Sequence, residues 1–355
     1  MGDWEPTPAF FESLHATDSA DADISRPYPF FLAHALEDAP ETLGESSGWQ
    51  AEWKWDGIRS QLIRRGGQTF LWSRGEELVT ERYPELAAVG DLLPEGTVLD
   101  GEILPWKEGA PLPFAQLQRR IGRKTVGKTI LAEVPVVLVA YDLLEDGGLD
   151  VRPRDLTWRR ARLEALAEVV DWPGRLIVSP TIKASSWEDL AEIRRESRER
   201  GAEGLMLKRL DSPYGVGRRR GDWWKWKVNP LTVDAVLIAA QRGSGKRASL
   251  YTDYTFGVWD GDRLVTIAKA YSGLTDEEIG RVDAFIRRHM VEKFGPVRTV
   301  KPELVFELAF EGLQRSPRHK SGIAVRFPRI LRWRHDKPAT EADTLDTLRA
   351  LLPPA

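Results

Sequence analysis

Apolar and polar residues alternate through "AEWKWDGIRSQLIRRGGQTFLWSR", residues 51–74, around a Gly66-Gly67 pair. That alternation with a two-glycine centre predicts a β-hairpin. Runs rich in β-branched residues at 96–104 (GTVLDGEIL) and 134–144 (VPVVLVAYDLL) read as further strands, as does AEGLMLKRL from Ala202. Two stretches instead carry helical spacing, 157–170 (TWRRARLEALAEVV) and 185–201 (SSWEDLAEIRRESRERG), the second closed by Gly201. Strands and helices interleave without the regular beat of a doubly wound sheet, so the pattern predicts an α+β fold.

Near Pro230 the pattern changes. Strands are predicted at 232–240, 254–260, 263–271, 304–311 and 323–334. One helix opens at Thr275, where Glu278 three residues on completes a capping box. Five strands and one helix in about 125 residues fit a small Greek-key barrel of the oligonucleotide-binding (OB) type. The first 48 residues show no period and read as an extension packed on the surface. The expected organisation is therefore an acidic extension over 1–48, a mixed domain over 49–229 and a barrel over 230–355.

Composition narrows the class. With 42% hydrophobic and 30% charged residues in 355, the chain has the make-up of a soluble globular protein. No run is apolar enough to cross a bilayer and the N-terminus lacks a secretory pattern, so no membrane association and a cytoplasmic location are expected. Cysteine is absent, which removes disulfides and thiolate metal sites. His15, His34, His289, His319 and His335 show no metal-ligand spacing. The net charge of −3 conceals an asymmetry: residues 1–50 hold ten acids against Arg26 alone, which leaves +6 on the remaining 305 residues. A basic body is compatible with an anionic partner.

The candidate chemistry starts at Lys54, set between Trp53 and Trp55 and followed by Asp56, Gly57 and Arg59. A lysine amine attacks phosphorus only when neutral, a form favoured by burial and by neighbouring positive charge. In a strand, Trp53 and Trp55 would face away from Lys54 and anchor it in the core, and Gly57 would permit a close backbone approach. Taken alone, the hexapeptide reads better as a surface strand with a solvated lysine. Downstream stand Arg74 in WSRGEELVT, Glu102 in LDGEIL, Tyr141 in VAYDLL, Glu203 and Lys208 in EGLMLK, and Lys225 and Lys227 in DWWKWKV. The segment RFPRILRWRHDK (326–337) comes last. Each has an ordinary structural explanation by itself; the combination, in this order, does not.

The set resembles the nucleotidyltransferase superfamily of ATP-dependent DNA ligases, RNA ligases and mRNA capping enzymes. KWDGIR resembles its signature lysine motif, and RFPRILRWRHDKPATEADT resembles the C-terminal motif of ATP-dependent DNA ligases. The likeness to bacterial ATP-dependent DNA ligases runs from about residue 50 to the end. It implies an adenylation domain of antiparallel sheets with flanking helices, followed by an OB-fold barrel. It also implies a DNA ligase using ATP and Mg²⁺ (or Mn²⁺) to seal nicked double-stranded DNA, as a monomer, with repair proteins as possible partners.

On that resemblance Lys54 takes AMP from ATP, releasing pyrophosphate. Glu52 meets the adenine edge and Tyr141 stacks on the base. Arg59 and Arg74 bind phosphate or ribose, Arg74 facing the nick's 5′-phosphate. Glu102 and Glu203 hold the metal or ribose hydroxyls, Lys208 belongs to the nucleotide pocket, and Lys225 and Lys227 approach the α-phosphate from the opposite wall. Arg326, Arg329, Arg332, Arg334, Asp336 and Lys337 would orient the pyrophosphate. Such a site needs several cations and a metal around one phosphate, and two glutamates without His or Cys suit a hard cation.

DNA contacts are expected from two basic runs, Arg315, Arg318 and Lys320 in one and Arg218 and Arg220 in the other. The loop QRGSGKRASLY (241–251) lacks the spacing of a phosphate loop and reads as a flexible DNA-facing loop. With only some 50 acidic residues before the hairpin, a helical DNA-binding domain is not expected. The chain then reads as a minimal ligase or as a truncation, with weak, salt-sensitive grip on DNA. Competing readings are an RNA ligase or capping-type enzyme, which the RFPR…RWRHDK ending disfavours, and an inactive OB-fold nucleic-acid-binding protein. Lys54, Glu102, Glu203, Lys225 and Lys227 together argue against decay.

Overall fold

The computed structural model describes residues 24–123, 125–169 and 174–352. The chain divides into two units, Met1–Val228 and Asn229–Ala355. In the first unit, strands β1 (Trp49–Trp55), β2 (Ile58–Arg65), β3 (Gln68–Ser73), β4 (Thr97–Lys107) and β5 (Val136–Asp146) precede helix α1 (Leu156–Val169). Short strands β6 (Leu176–Val178) and β7 (Thr181–Ile182), helix α2 (Trp187–Arg195) and strands β8 (Ala202–Arg209) and β9 (Trp223–Lys227) complete it.

These strands form two sheets. One runs β6-β5-β4-β2-β3, and the other β7-β1-β8-β9 with the two-residue strand His34–Ala35 at its edge. The expected hairpin exists as β2 and β3, paired from Ser60↔Ser73 to Arg65↔Gln68 around Gly66-Gly67. The preceding residues do not extend it. β1 crosses to the second sheet, and the change of sheet falls at Asp56-Gly57. A Cβ on Gly57 would lie 2.3 Å from the Ile103 carbonyl oxygen, so only glycine lets the chain pass so close to β4.

Each sheet has its own core. Leu62, Leu99, Ile103, Leu138 and Leu143 of the first pack with Leu163 and Leu166 of α1. Ala51, Trp53, Leu205, Leu207, Trp224 and Trp226 of the second pack with Trp187 and Leu190 of α2. α2 starts where the Ser186 side chain accepts from Asp189 N and ends with Arg194 and Arg195 in its last turn, both favourable to the helix dipole. It is shorter than the predicted 185–201, giving way to a 3₁₀ turn over Glu196–Arg198.

The first 48 residues are not simply a surface extension. Their first 23 lie outside the described residues, but Phe31 is completely buried and Phe30 nearly so. Phe31–Leu32 pairs in parallel with Gly217–Arg218, and His34–Ala35 with Trp224–Lys225. Tyr28 exchanges two backbone bonds with the Gln61 side chain, both 2.8 Å, and its hydroxyl donates to Glu145 at 2.7 Å. Apolar residues without a period were enough to build a strap, because a strap is held by pairing with finished sheets and needs no periodic face of its own.

The second unit holds β10 (Leu231–Arg242), β11 (Tyr251–Asp260), β12 (Arg263–Ala270), helix α3 (Asp276–His289), β13 (Met290–Phe294), β14 (Val297–Val300) and β15 (Val305–Phe310). β16 (Gly312–Arg315), β17 (Ile323–Arg326), β18 (Arg329–Trp333) and helix α4 (Leu345–Ala350) follow. The long β10 pairs with β11, β14 and β15, and β15 pairs with β18. Ile330 N of β18 donates to Ser272 O just past β12 at 3.0 Å, curling the antiparallel sheet into a half-barrel consistent with an OB fold. α3 has the predicted capping box. The barrel is richer than five strands and one helix, and the predicted 323–334 strand is two, separated at Phe327-Pro328. Phe327 takes a left-handed φ of 50° and Pro328 cannot donate to a ladder, so the pairing breaks there.

Candidate active site

Lys54 lies near the end of β1, with Trp53 buried on the core side. The strand alternation sends Glu52 and Lys54 to the opposite face, into a cleft of about 790 Å³ between the two sheets. β2 contributes Arg59, β4 Glu102 and β5 Tyr141, while β8 contributes Glu203, Met206 and Lys208 and β9 contributes Trp223, Lys225 and Lys227. Arg74 stands at the exposed end of β3 and Arg218 on the connection before β9. Every residue predicted for the nucleotide thus lines one cavity, joined by Arg218, which the sequence had placed with DNA.

Strict alternation along β8 would put Glu203 on the face away from Met206 and Lys208. The pairing of β8 with β1 is irregular between Ala202 and Leu205, and this slip turns Glu203 into the cleft. Gly204 permits it: its φ is 145°, and a Cβ there would lie 2.3 Å from the Trp226 carbonyl oxygen. Lys54 Nζ then contacts Glu203 Oε2 directly, and Lys227 Nζ reaches the same oxygen at 3.2 Å. On β9 the alternation is regular, with Trp224 and Trp226 buried in the core and Lys225 and Lys227 on the cleft. Because β9 belongs to the same sheet as β1, these lysines share the wall of Lys54 and do not face it from the opposite one.

The charges act on one another. Burial alone would raise the Glu203 carboxyl, but Lys54 and Lys227 outweigh it and hold the group below its ordinary value. Burial pushes Glu102 up to about 7, against the pull of Lys54 and Arg59 and with the help of Asp100 and Glu203. Lys225 is lowered, first by burial and then by the charges of Lys54, Arg218 and Lys227.

Deeper in, Lys208 Nζ donates to Glu52 Oε1 at 2.8 Å, and Gln50 Nε2 donates to the same oxygen at 2.7 Å. The Lys208 ammonium also lies 4.3 Å from the Tyr141 ring centroid and 4.7 Å from that of Trp223, a cation held between two aromatic faces. Arg59 is committed to protein partners, with Asp100 Oδ2 at 2.7 Å and the Phe31 carbonyl at 2.5 Å. Asp100, Trp223 and Tyr214 were not singled out from the sequence. Asp100 sits two residues before Glu102 in the quoted LDGEIL, which was the available signal; Tyr214 in SPYGVG offered none.

In the second unit Arg329, Arg332, Arg334 and Lys337, expected at pyrophosphate, are paired with carboxylates of the same unit. Arg334 Nη1 and Lys337 Nζ share Asp234 Oδ2 at 2.6 and 2.7 Å, and Arg334 also forks onto Asp336. Arg334 holds the Asp336 carboxyl well below the usual carboxylate range. Arg332 meets Glu307 at 2.6 Å and Arg329 meets Glu311 at 3.2 Å, while the Arg326 guanidinium lies 5.0 Å from the Phe327 ring centroid. Arg315, Arg318 and Lys320 are exposed on β16 and the loop after it, and Arg220 is exposed beside Trp224. His335 stacks on Trp333 at 4.3 Å. The 241–251 loop contains a 3₁₀ turn, Gly245–Arg247, and Arg247 pairs with Asp276 at 2.8 Å.

The family model described as the ATP dependent DNA ligase domain matches residues 30–227, and that described as the ATP dependent DNA ligase C terminal region matches residues 247–337. The chain belongs to the ATP-dependent DNA ligase family. A probable DNA ligase of Koribacter versatilis is 40% identical over 344 residues, covering 91% of this chain and 60% of its own length. One of Opitutus terrae is 39% identical over 359 residues, covering 93% of this chain and 35% of its own length. The chain therefore spans between about a third and three fifths of these ligases. A solved structure described as "DNA binding with a minimal scaffold: Structure-function analysis of Lig E DNA ligases" has a TM-score of 0.60 at 19% identity, over 87% of this chain and 100% of that one. This is a likeness of fold. Among the described residues no helix is long and apolar enough to cross a membrane.

Proposed function

We propose that this ligase-family chain seals nicks in duplex DNA at the expense of ATP. The observation that carries the reading is the pairing of Lys54 with Glu203 in a cleft that also holds Lys225, Lys227 and Glu102. The Lys54 amine attacks the α-phosphorus of ATP; the N–P bond forms, the bond to pyrophosphate breaks, and the amine gives up a proton. The 5′-phosphate of the nick then takes AMP from Lys54, regenerating the amine. Finally the 3′-hydroxyl attacks that phosphate and AMP leaves.

Lys225 and Lys227 stand where charge builds up on the α-phosphate, and such fixed cations stabilise a phosphoryl-transfer transition state without reorganising. Glu52 with its Lys208 partner, and the Tyr141 ring, supply a hydrogen-bonding edge and a stacking face for a base. Arg74, exposed at the mouth, suits the nick phosphate. Glu102 and Glu203 provide hard oxygen donors from facing sheets, and no group of three or more metal-binding side chains occurs among the described residues. Two carboxylates fit Mg²⁺, which keeps much of its water and takes remaining oxygens from phosphate. When bound, the ion would neutralise phosphate charge. Arg218, Arg220, Arg315, Arg318 and Lys320 would track the DNA backbone, and the protein would work as a cytoplasmic monomer.

Incubation with α-labelled ATP and Mg²⁺, followed by a denaturing gel, tests the first step. A labelled band at the mass of the chain is expected, absent from Lys54→Ala. Sealing of a nicked duplex tests the rest; no label from ATP in the wild-type protein would remove the proposal.

A further inference from the structure

Asp100 is the most enclosed charge beside the cleft. Fully buried on β4, it takes Arg59 Nη2 at 2.7 Å and Nε at 3.3 Å, the Tyr214 hydroxyl at 2.6 Å and the Tyr141 hydroxyl at 3.5 Å. Arg59 and Tyr141 line the cleft; Tyr214 does not. It lies behind the wall, 5% exposed, on the connection from β8 to β9. Arg59, Asp100 and Tyr141 belong to the other sheet. The Tyr214 oxygen also accepts from Phe31 N at 3.2 Å and from Arg59 Nη2 at 3.3 Å, while Arg59 Nη1 donates to Phe31 O at 2.5 Å. One phenol oxygen therefore ties the strap through Phe31 and a connection of the second sheet to the buried carboxylate of the first. Burial and the Asp100 charge push the Tyr214 hydroxyl up, so it keeps its proton and donates throughout the neutral range.

We propose that Tyr214 is a positioning residue for ATP, holding Asp100 so that the Arg59 guanidinium and the Tyr141 ring stand in the arrangement the nucleotide meets. Arg59 has its shortest side-chain partner in Asp100 Oδ2, the same oxygen that Tyr214 fixes. Without the hydroxyl that carboxylate loses its shortest donor and keeps Arg59 and the Tyr141 hydroxyl at 3.5 Å, so the Asp100–Arg59 pair can shift together. Networks of this kind are worth more than their separate bonds. The inference rests on the adenylation reading above.

Tyr214→Phe isolates the hydroxyl. The ring keeps its edge-on packing against Trp223 at 5.6 Å and Phe31 at 5.9 Å, with the Arg159 guanidinium 6.0 Å from its centroid. Self-adenylation would be measured against ATP concentration, well below the melting temperature of each protein so that lost stability does not enter. The expected result is a KM for ATP about tenfold higher with kcat within about threefold of wild type. An unchanged KM, or a kcat that falls as far as KM rises, overturns the proposal. Failure of the wild-type protein to adenylate would instead remove the function on which it rests.

Discussion

Lys227 Nζ stands 3.2 Å from Glu203 Oε2, the oxygen that Lys54 Nζ also contacts, so a single carboxylate holds two lysines at one wall of the cleft. Glu203→Gln preserves the shape and removes the charge, leaving Lys54, Lys225 and Lys227 to repel one another. Self-adenylation is expected to fall by about 10²-fold, the usual cost of losing one preorganised electrostatic contact. A rate within twofold of wild type would show that the pairing has no part in the chemistry.

Glu102 sits near 7 because burial disfavours its charged form. The sign follows: below that value the carboxyl is mostly protonated and a poor cation ligand, and above it the carboxylate predominates. The Mg²⁺ concentration giving half-maximal adenylation should therefore fall as pH rises through about 7. Glu102→Gln should need more Mg²⁺ and lose that part of the pH dependence. Parallel pH profiles for the two proteins would exclude Glu102 as the titrating group.

Lys208 and Glu52 are 1% and 2% exposed and 2.8 Å apart. Removing one partner strands the other charge in the interior. Lys208→Met is expected to cost about 3–5 kcal/mol in urea unfolding, and adding Glu52→Gln to recover much of it. If the double variant is no more stable than Lys208→Met, the pair does not carry the cost.

Arg315, Arg318 and Lys320 are exposed and close together in sequence. If they touch DNA phosphates, replacing Arg315 and Arg318 by Ala should lower the slope of log affinity for nicked duplex against log salt by about 2. Self-adenylation should stay unchanged. An unaltered slope would move the DNA interface elsewhere.

Local pattern exposed most of the chemistry because strands expose it. In β1 and β9 the two-residue repeat separates Trp53, Trp224 and Trp226 from Lys54, Lys225 and Lys227, and that separation is written in the order of the residues. The capping box at Thr275 is local too. Glu203 is different: simple alternation would have turned it away, and only the slip against β1 beside Gly204 brings it to Lys54. The strap over Phe30 and Phe31 was missed because its stability comes from the sheets it joins.

By itself, then, the order of residues determined which side chains could do phosphoryl chemistry and which strands carry them, since alternation and capping act over a few residues. Tertiary structure decided who meets whom. It moved β1 to a different sheet from β2 at Gly57, gave Arg59 to Asp100, put Tyr214 behind both, and paired Arg334 and Lys337 with Asp234. Partners so far apart along the chain are chosen by packing and by the need to neutralise buried charge, and neither leaves a local mark in the sequence.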